Sequence, residues 1–407
     1  MEKNIPELNV GIVGHVDHGK TTLTSVLTGK FTDVHSEEIK RGITIRLGYA
    51  DTTIYECPKC SEDNLKYSRF PKCFHCGSAT KKLRSLSVVD APGHESLMAT
   101  VLSGASIMDG ALLLVAANEK CPQPQTEEHL EALRIAGIKN IIIVQNKVDI
   151  VKPEEAKKNY DQIKKFVKGS FAENAPIIPV SAQHSINVGY LFKAIYDNIP
   201  VPKRDEKANP EFLVARSFDI NKPGTAIDKL KGGVLGGSII AGVLNVGDEI
   251  EIMPGIARKD KWKSIITKIT KIFHGGVSVK CGKAGGLLAV ETQLDPFLSK
   301  SDSLAGSVVG LSGKLSKNCS EMKVKVEFLK RIVGTEELKG NQTNLMRNDI
   351  ILIHLGTQRT IGICVKPGNV AEFKLPKRPL CVNSGEKVAF SKQINKRWRL
   401  IGYGTVQ

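Results

Sequence analysis

No apolar run in this chain approaches the roughly 18 residues that a membrane-crossing helix needs. Its start, Met1-Glu2-Lys3-Asn4-Ile5-Pro6, lacks the basic-then-apolar build of a secretory signal. Both absences argue against insertion or export, so no membrane partner and a cytoplasmic location are expected. Internal repeats and low-complexity tracts are missing too, which sets aside solenoids and disordered arms. Acid is short in one half only. Residues 201–407 hold 19 Asp/Glu against 34 Lys/Arg and residues 1–200 hold 23 against 24, giving net charges of +15 and +1. The surplus forms no long block, so it reads as a folded basic surface facing a polyanion such as RNA. General solubility or an acidic protein partner would leave the same imbalance.

The 407 residues, 41% hydrophobic and 25% charged, suit a soluble chain of two or three domains. Five of the nine cysteines, Cys121, Cys281, Cys319, Cys364 and Cys381, stand singly in apolar surroundings and read as buried free thiols.

What is present is organised around Gly14-His15-Val16-Asp17-His18-Gly19-Lys20-Thr21. It follows the apolar run Val10–Val13 and opens a helical pattern, Leu23 to Leu27, the strand–GxxxxGK[ST]–helix context of a phosphate-binding loop. Residues Asp17, His18, Gly19, Lys20, Thr21 and Thr22 would then surround the phosphates. Lys20 reaches the β- and γ-phosphates and the Thr21 hydroxyl ligates Mg²⁺.

Through residue 200, the apolar runs Leu86–Val89, Ala111–Ala117, Ile141–Val144 and Ile177–Val180 alternate with helical patterns at Glu95–Ser103, Thr126–Ala136, Glu154–Val167 and Val188–Ile199. Such alternation predicts an α/β domain, a parallel sheet with helices on both faces and ligands at the carboxyl ends of its strands. Residues 200–205, with Pro200 and Pro202, read as a linker. Beyond them come short strands and glycine turns, as in 212–218, 231–237, 243–248 and 268–273, which predict β-barrels or sandwiches. A second boundary is expected near 316–320, before the alternating run Met322–Phe328. The expected domains are 1–200, 201–319 and 320–407.

Two further strand ends choose the nucleotide. Asp90-Ala91-Pro92-Gly93 follows Leu86–Val89, so Asp90 can hold Mg²⁺ through water while the Gly93 amide senses the γ-phosphate. Asn146-Lys147-Val148-Asp149 follows Ile141–Val144, where the Asp149 carboxylate can accept the ring N–H and the amine of guanine. Adenine would leave that carboxylate unpaired, at a cost of about 1–3 kcal/mol. Ser181-Ala182-Gln183 can give a backbone N–H to guanine O6. The order and spacing point to GTP and GDP.

Between Thr44 and Asp90 the chain is longer than two strands need, and the surplus, about 51–84, holds Cys57-Pro58-Lys59-Cys60 and Cys73-Phe74-His75-Cys76. Paired CxxC turns aim four thiolates at one ion, which suits a closed, structural zinc site.

The motifs His15–His18, Arg41-Gly42-Ile43-Thr44-Ile45 and Asp90-Ala91-Pro92-Gly93-His94 resemble those of the translational GTPases related to the tRNA-carrying elongation factor. With the cysteine pairs, residues 37–50, Asn118-Glu119, 122–126, Lys222–Thr225, Lys231–Val234 and Ile394–Gly402, the resemblance narrows to the γ-subunit family of translation initiation factor 2, in its archaeal form. It covers essentially the whole chain. The resemblance implies two β-barrels after the GTPase domain, Thr44 closing over Mg²⁺, His94 as the catalytic residue positioning water, and an apolar gate of Val16 and Ile43. It also implies a second Mg²⁺ between Asp17 and the Gly42 carbonyl. The partners it implies are initiator methionyl-tRNA, the α and β subunits of a heterotrimer, and the small ribosomal subunit. Lys392, Lys396, Arg397 and Arg399 form the densest basic group, a candidate RNA contact or a solvated face. The alternatives are an elongation-type or selenocysteine-type tRNA carrier, a GTPase subunit of a metabolic enzyme, and a binding adapter without hydrolysis.

Overall fold

Val10, Ile12 and Val13 expose none of their surface, because the strand they form, β1 (Asn9–Gly14), lies in the middle of a seven-stranded sheet. The computed structural model describes residues 5–32, 44, 46–94, 97–258, 261–329, 345–394 and 397–407. Of the residues named above, Met1 to Asn4, Arg41, Gly42, Ile43, Ile45, Glu95 and Lys396 lie outside these. The described chain forms two units, Met1–Pro202 and Lys203–Gln407, divided within the expected linker.

In the first unit β2 (Gly48–Glu56), β3 (Tyr67–Ser68), β4 (Lys81–Asp90), β5 (Gly110–Ala116), β6 (Asn140–Asn146) and β7 (Ile177–Pro179) complete the sheet, in the order β3-β2-β4-β1-β5-β6-β7. The five strands from β4 to β7 run parallel, as buried apolar runs joined through helices should. The expected parallel sheet is extended by β2 and β3, which add an antiparallel edge. The physical reason is that β2 returns to β4 without a crossover helix, through the cysteine segment. Within 51–84, residues 51–56 pair with β4, so both cysteine turns fall in 57–80. Helices α1 (Lys20–Thr28), α2 (Asp63–Lys66), α3 (Met98–Ala105), α4 (Pro124–Ala136), α5 (Pro153–Val167) and α6 (Val188–Asn198) connect the strands. Leu23 and Leu27 of α1 share one core with Leu191 and Ile195 of α6 and with Val10 and Ile12 of β1. That core fixes the loop between β1 and α1 against the sheet.

The second unit is two antiparallel barrels. In the first, six strands close by pairing Glu249–Arg258 with Lys261–His274, around Phe212, Val214, Leu235, Ile250 and Ile252. Gly236 and Gly237, counted among the glycine turns, lie instead inside the strand Val234–Ala241. A Cβ on Gly237 would stand 1.9 Å from the Leu213 carbonyl, so close strand approach explains the glycine there. The second barrel, also six-stranded, begins with Glu321–Phe328, whose alternate burial repeats the sequence alternation. Phe373 and Phe390 stack at 5.2 Å in its core. Of the single cysteines, Cys121, Cys364 and Cys381 are buried, but Cys281 and Cys319 are only half-buried.

His354, on the strand Ile350–Leu355 of the second barrel, is 4% exposed, its Nε2 without a hydrogen-bond partner among the described residues, and burial pushes its pKa down to about 3. The folded pKa lies below the unfolded one, so the unfolded chain takes the proton first. Its contribution is intact above about pH 7, declines as pH falls through 6.5, and keeps declining toward 3. From pH 7 to 5 this one group should cost the barrel unit about 2 kcal/mol. Urea titration at the two pH values should show that loss, and His354→Leu should remove it.

Candidate functional site

The site begins where β1 must stop. A Cβ on Gly14 would lie 2.5 Å from the Leu114 carbonyl of β5, so only glycine lets the chain leave the sheet there. The loop then runs to Gly19, which precedes α1 in the left-handed region at φ 89°, with Asn146 Nδ2 only 2.5 Å from where a Cβ would be. Between them Lys20 Nζ bonds the His15 carbonyl at 2.6 Å. Leu23 N–H bonds the Gly19 carbonyl at 2.9 Å, starting α1 with its N-terminus toward the cradle.

A cavity of about 500 Å³ opens here, lined by residues that include Asp17, Lys20, Thr21, Gly93, His94 and Lys147. Val16, Gly19, Thr22 and Thr44 line it as well. Motifs more than 120 residues apart in sequence therefore converge on one space, at the carboxyl ends of β1, β4 and β6. Asn146 holds the loops together: its Nδ2 donates to the His18 carbonyl at 2.9 Å and its Oδ1 accepts from Ala182 N–H at 3.0 Å. An O6 contact through Ala182 would share that donor. The Ser181 side chain beside Asp149 holds its carboxyl below the usual carboxylate range, and His184 Nε2 lies 3.6 Å from Oδ2. Gln183 is exposed on the same loop.

The oxygen donors fit a magnesium ion. Adjacent ligands of an octahedral Mg²⁺ at about 2.1 Å stand about 3.0 Å apart, and the Thr21 and Thr44 hydroxyls are 3.0 Å apart. Asp90 is fully buried and accepts from the Thr32 hydroxyl at 2.8 Å. Asp17 is exposed, in the left-handed region at φ 60°; Gly42, its expected companion, lies outside the described residues.

His18 is placed otherwise than a ligand side chain. Its ring is completely buried, with Nδ1 2.9 Å from the Leu114 carbonyl and Nε2 3.3 Å from Glu119, and burial lowers its pKa. Only its backbone faces the cradle. Thr32 and Phe31, the latter on the cavity wall, escape a reading of the sequence because no motif marks the chain between α1 and Thr44. Two members of the basic group at 392–399 are already engaged: Lys392 pairs with Asp349 at 2.7 Å and Arg399 is buried. Arg397 is exposed, and Lys396 lies outside the described residues.

The four cysteine sulfurs lie within 4.8 Å of one another, Cys57 to Cys76 at 3.4 Å and Cys60 to Cys73 at 3.7 Å. A zinc ion with four Zn–S bonds of about 2.3 Å needs sulfurs about 3.8 Å apart, so the donor set fits zinc. His75 is exposed beside Phe74. The knuckle is docked on α6: Gly189 N–H donates to Asn64 Oδ1 at 3.2 Å, and Lys193 pairs with Asp63 at 3.0 Å. A Cβ on Gly189 would stand 2.1 Å from the Asn64 carbonyl oxygen. Gly189→Ala should therefore push the knuckle off α6 at a cost of about 1–3 kcal/mol. Faster proteolytic nicking within 57–80, with the rest of the chain uncut, is the expected readout; unchanged nicking would contradict it.

Residues 6–201 match the family model of the elongation factor Tu GTP binding domain, and residues 320–406 match that of the initiation factor eIF2 gamma C-terminal region. The chain is 55% identical to the translation initiation factor 2 subunit gamma of Methanocaldococcus jannaschii, over 98% of this chain and 97% of that protein. Against the protein of the same name from Pyrococcus horikoshii the identity is 53%, over 98% and 97%. Among solved structures, a bacterial selenocysteine-specific elongation factor superposes with a TM-score of 0.74 at 25% identity, covering 98% of this chain and 58% of that one.

Proposed function

This chain belongs to the archaeal-type family of translation initiation factor 2 gamma subunits, elongation factor Tu-type translational GTPases, and on that premise we propose how its residues divide the work. The protein binds GTP and carries initiator methionyl-tRNA in a GTP-dependent manner during translation initiation. No helix among the described residues is long and apolar enough to cross a membrane.

In our reading Asp17 to Thr22 cradle the phosphates, with backbone N–H groups and Lys20 supplying the positive field. Thr21, Thr44 and Asp90 would hold Mg²⁺, and Asp17 with Gly42 would hold a second cation. The ion, when bound, neutralises charge on the β- and γ-phosphates. Asp149 recognises guanine, Asn146 braces the base loop against the cradle, Lys147 flanks the base, and Ser181–Gln183 supply the O6 donor. Gly93 reads the third phosphate and His94 positions the attacking water. Cys57, Cys60, Cys73 and Cys76 hold a structural zinc, whose binding energy folds a loop with little core of its own. Removing zinc with a zinc-selective chelator, Mg²⁺ being kept in excess, should open 57–80 to protease while GTP binding persists. Loss of GTP binding on chelation would contradict a purely structural role.

The domain reading is 1–200 for GTP and 201–319 and 320–407 for partners, in a cytoplasmic heterotrimer with α and β subunits on the small ribosomal subunit. The +15 carried by residues 201–407 is what an RNA backbone contact calls for.

The observation that carries the reading is the single cavity bringing Lys20, Thr21, Thr44, Gly93, His94 and Lys147 together. Filter binding of charged initiator tRNA with GTP, GDP or ATP, with and without an α-type subunit, tests it. Retention that required GTP and the methionyl group supports it. Binding indifferent to the third phosphate or to the amino acid overturns it.

A further inference from the structure

His129, on α4, is 1% exposed directly behind the phosphate loop. Its Nδ1 accepts a 2.8 Å hydrogen bond from Gly14 N–H, across 115 positions of sequence. An imidazole that accepts at Nδ1 and stays neutral carries its proton on Nε2. Burial, with Lys20, His15 and His18 nearby, pushes the His129 pKa down to about 3, so the acceptor persists through the neutral range. Gly14 is the point where the chain abandons β1, and its N–H is a buried donor at the root of the loop. Left unmade, such a bond would strain the turn from which the cradle projects.

We infer that His129 is a positioning residue for the nucleotide phosphates: by holding Gly14 N–H from behind, it fixes the start of the loop that carries Lys20. It acts through Gly14 and lies beneath the cradle, not in the cavity wall. The neighbouring bond from Lys20 Nζ to the His15 carbonyl belongs to the same turn, so slack at Gly14 passes directly to the phosphate-binding lysine. Placement errors of about 1 Å in such groups are enough to weaken phosphate recognition.

The inference rests on the reading of residues 14–21 as the phosphate loop. Two variants of the full chain test it against a plain packing role. His129→Leu keeps an apolar side chain and removes the acceptor, whereas His129→Asn places Oδ1 as many bonds from the backbone as Nδ1. Stopped-flow release of a fluorescent GDP analogue is expected to be at least about tenfold faster for the Leu variant and within about threefold of the unsubstituted chain for Asn. Melting temperatures measured alongside separate stability from phosphate grip. Release by the Leu variant at the unsubstituted rate, or equally fast release from both variants, overturns the inference. If neither variant folds, imidazole ¹⁵N shifts in the unsubstituted chain decide it: His129 must show an unprotonated, hydrogen-bonded Nδ1, and a protonated Nδ1 overturns it. Failure of the unsubstituted chain to hold the analogue at all would sink the phosphate-loop reading instead.

Discussion

Replacing His94 by alanine is expected to cut partner-stimulated GTP turnover by about 10²–10⁴-fold while leaving GTP affinity nearly unchanged. The separation follows from where the side chain stands. His94 is exposed on the wall of the cavity, one residue beyond Gly93. Gly93 itself is wedged against the cradle, since a Cβ there would lie 2.3 Å from Lys20 Nζ and 3.0 Å from Val16 N. A third phosphate contacted by the Gly93 amide must therefore move the residue that follows it. In the proposed division of roles ground-state affinity comes from the cradle and the base loop, which this substitution does not touch. Single-turnover phosphate release in the presence of small ribosomal subunits is the measurement. Stimulated turnover that survived the change would remove His94 from the mechanism.

Asp149→Asn should lower GTP affinity by about 10²–10³-fold and raise affinity for xanthosine triphosphate. The carboxylate, held below the usual range by Ser181, is ionised at neutral pH and in the proposed role would offer two acceptors to the two guanine donors. Each such charge-assisted bond contributes about 1.5–3 kcal/mol. An asparagine keeps one acceptor but sets its NH₂ against the guanine amine, donor to donor. Xanthine carries a carbonyl at that position and accepts the NH₂. Competition titration with the two triphosphates reads the switch directly. An unchanged preference for GTP would show that Asp149 does not face the base.

The parts of this molecule that are legible in its sequence share one property: each is a group of residues that a single turn must present together. Lys20 and Thr21 follow Gly19 because one loop and one helix start have to meet the phosphates. The two CxxC turns each direct a pair of sulfurs, so their spacing alone announces the cluster. Burial without periodicity marks β5 and β6, and strict alternation marks Glu321–Phe328, since a strand covered on both faces and one covered on a single face demand different patterns. Even the boundary near Pro202 is written locally, in prolines that end a helix.

Other features become visible only when distant segments are brought together. Nothing near His129 in sequence says that it holds Gly14, and nothing near Thr32 says that it bonds Asp90. Asn64 meets Gly189 because the knuckle folds back onto α6, a docking that neither segment encodes alone. Lys392 and Arg399 read as available cations in the sequence, but Asp349 and the barrel wall claim them. The sequence by itself determined which chemistry the chain carries, because phosphate, guanine and metal ligands must be spaced at the scale of a turn. Which polar groups are already engaged, and which loops are held rigid, was decided only in three dimensions. Those depend on pairings between segments whose separation along the chain carries no periodic signature.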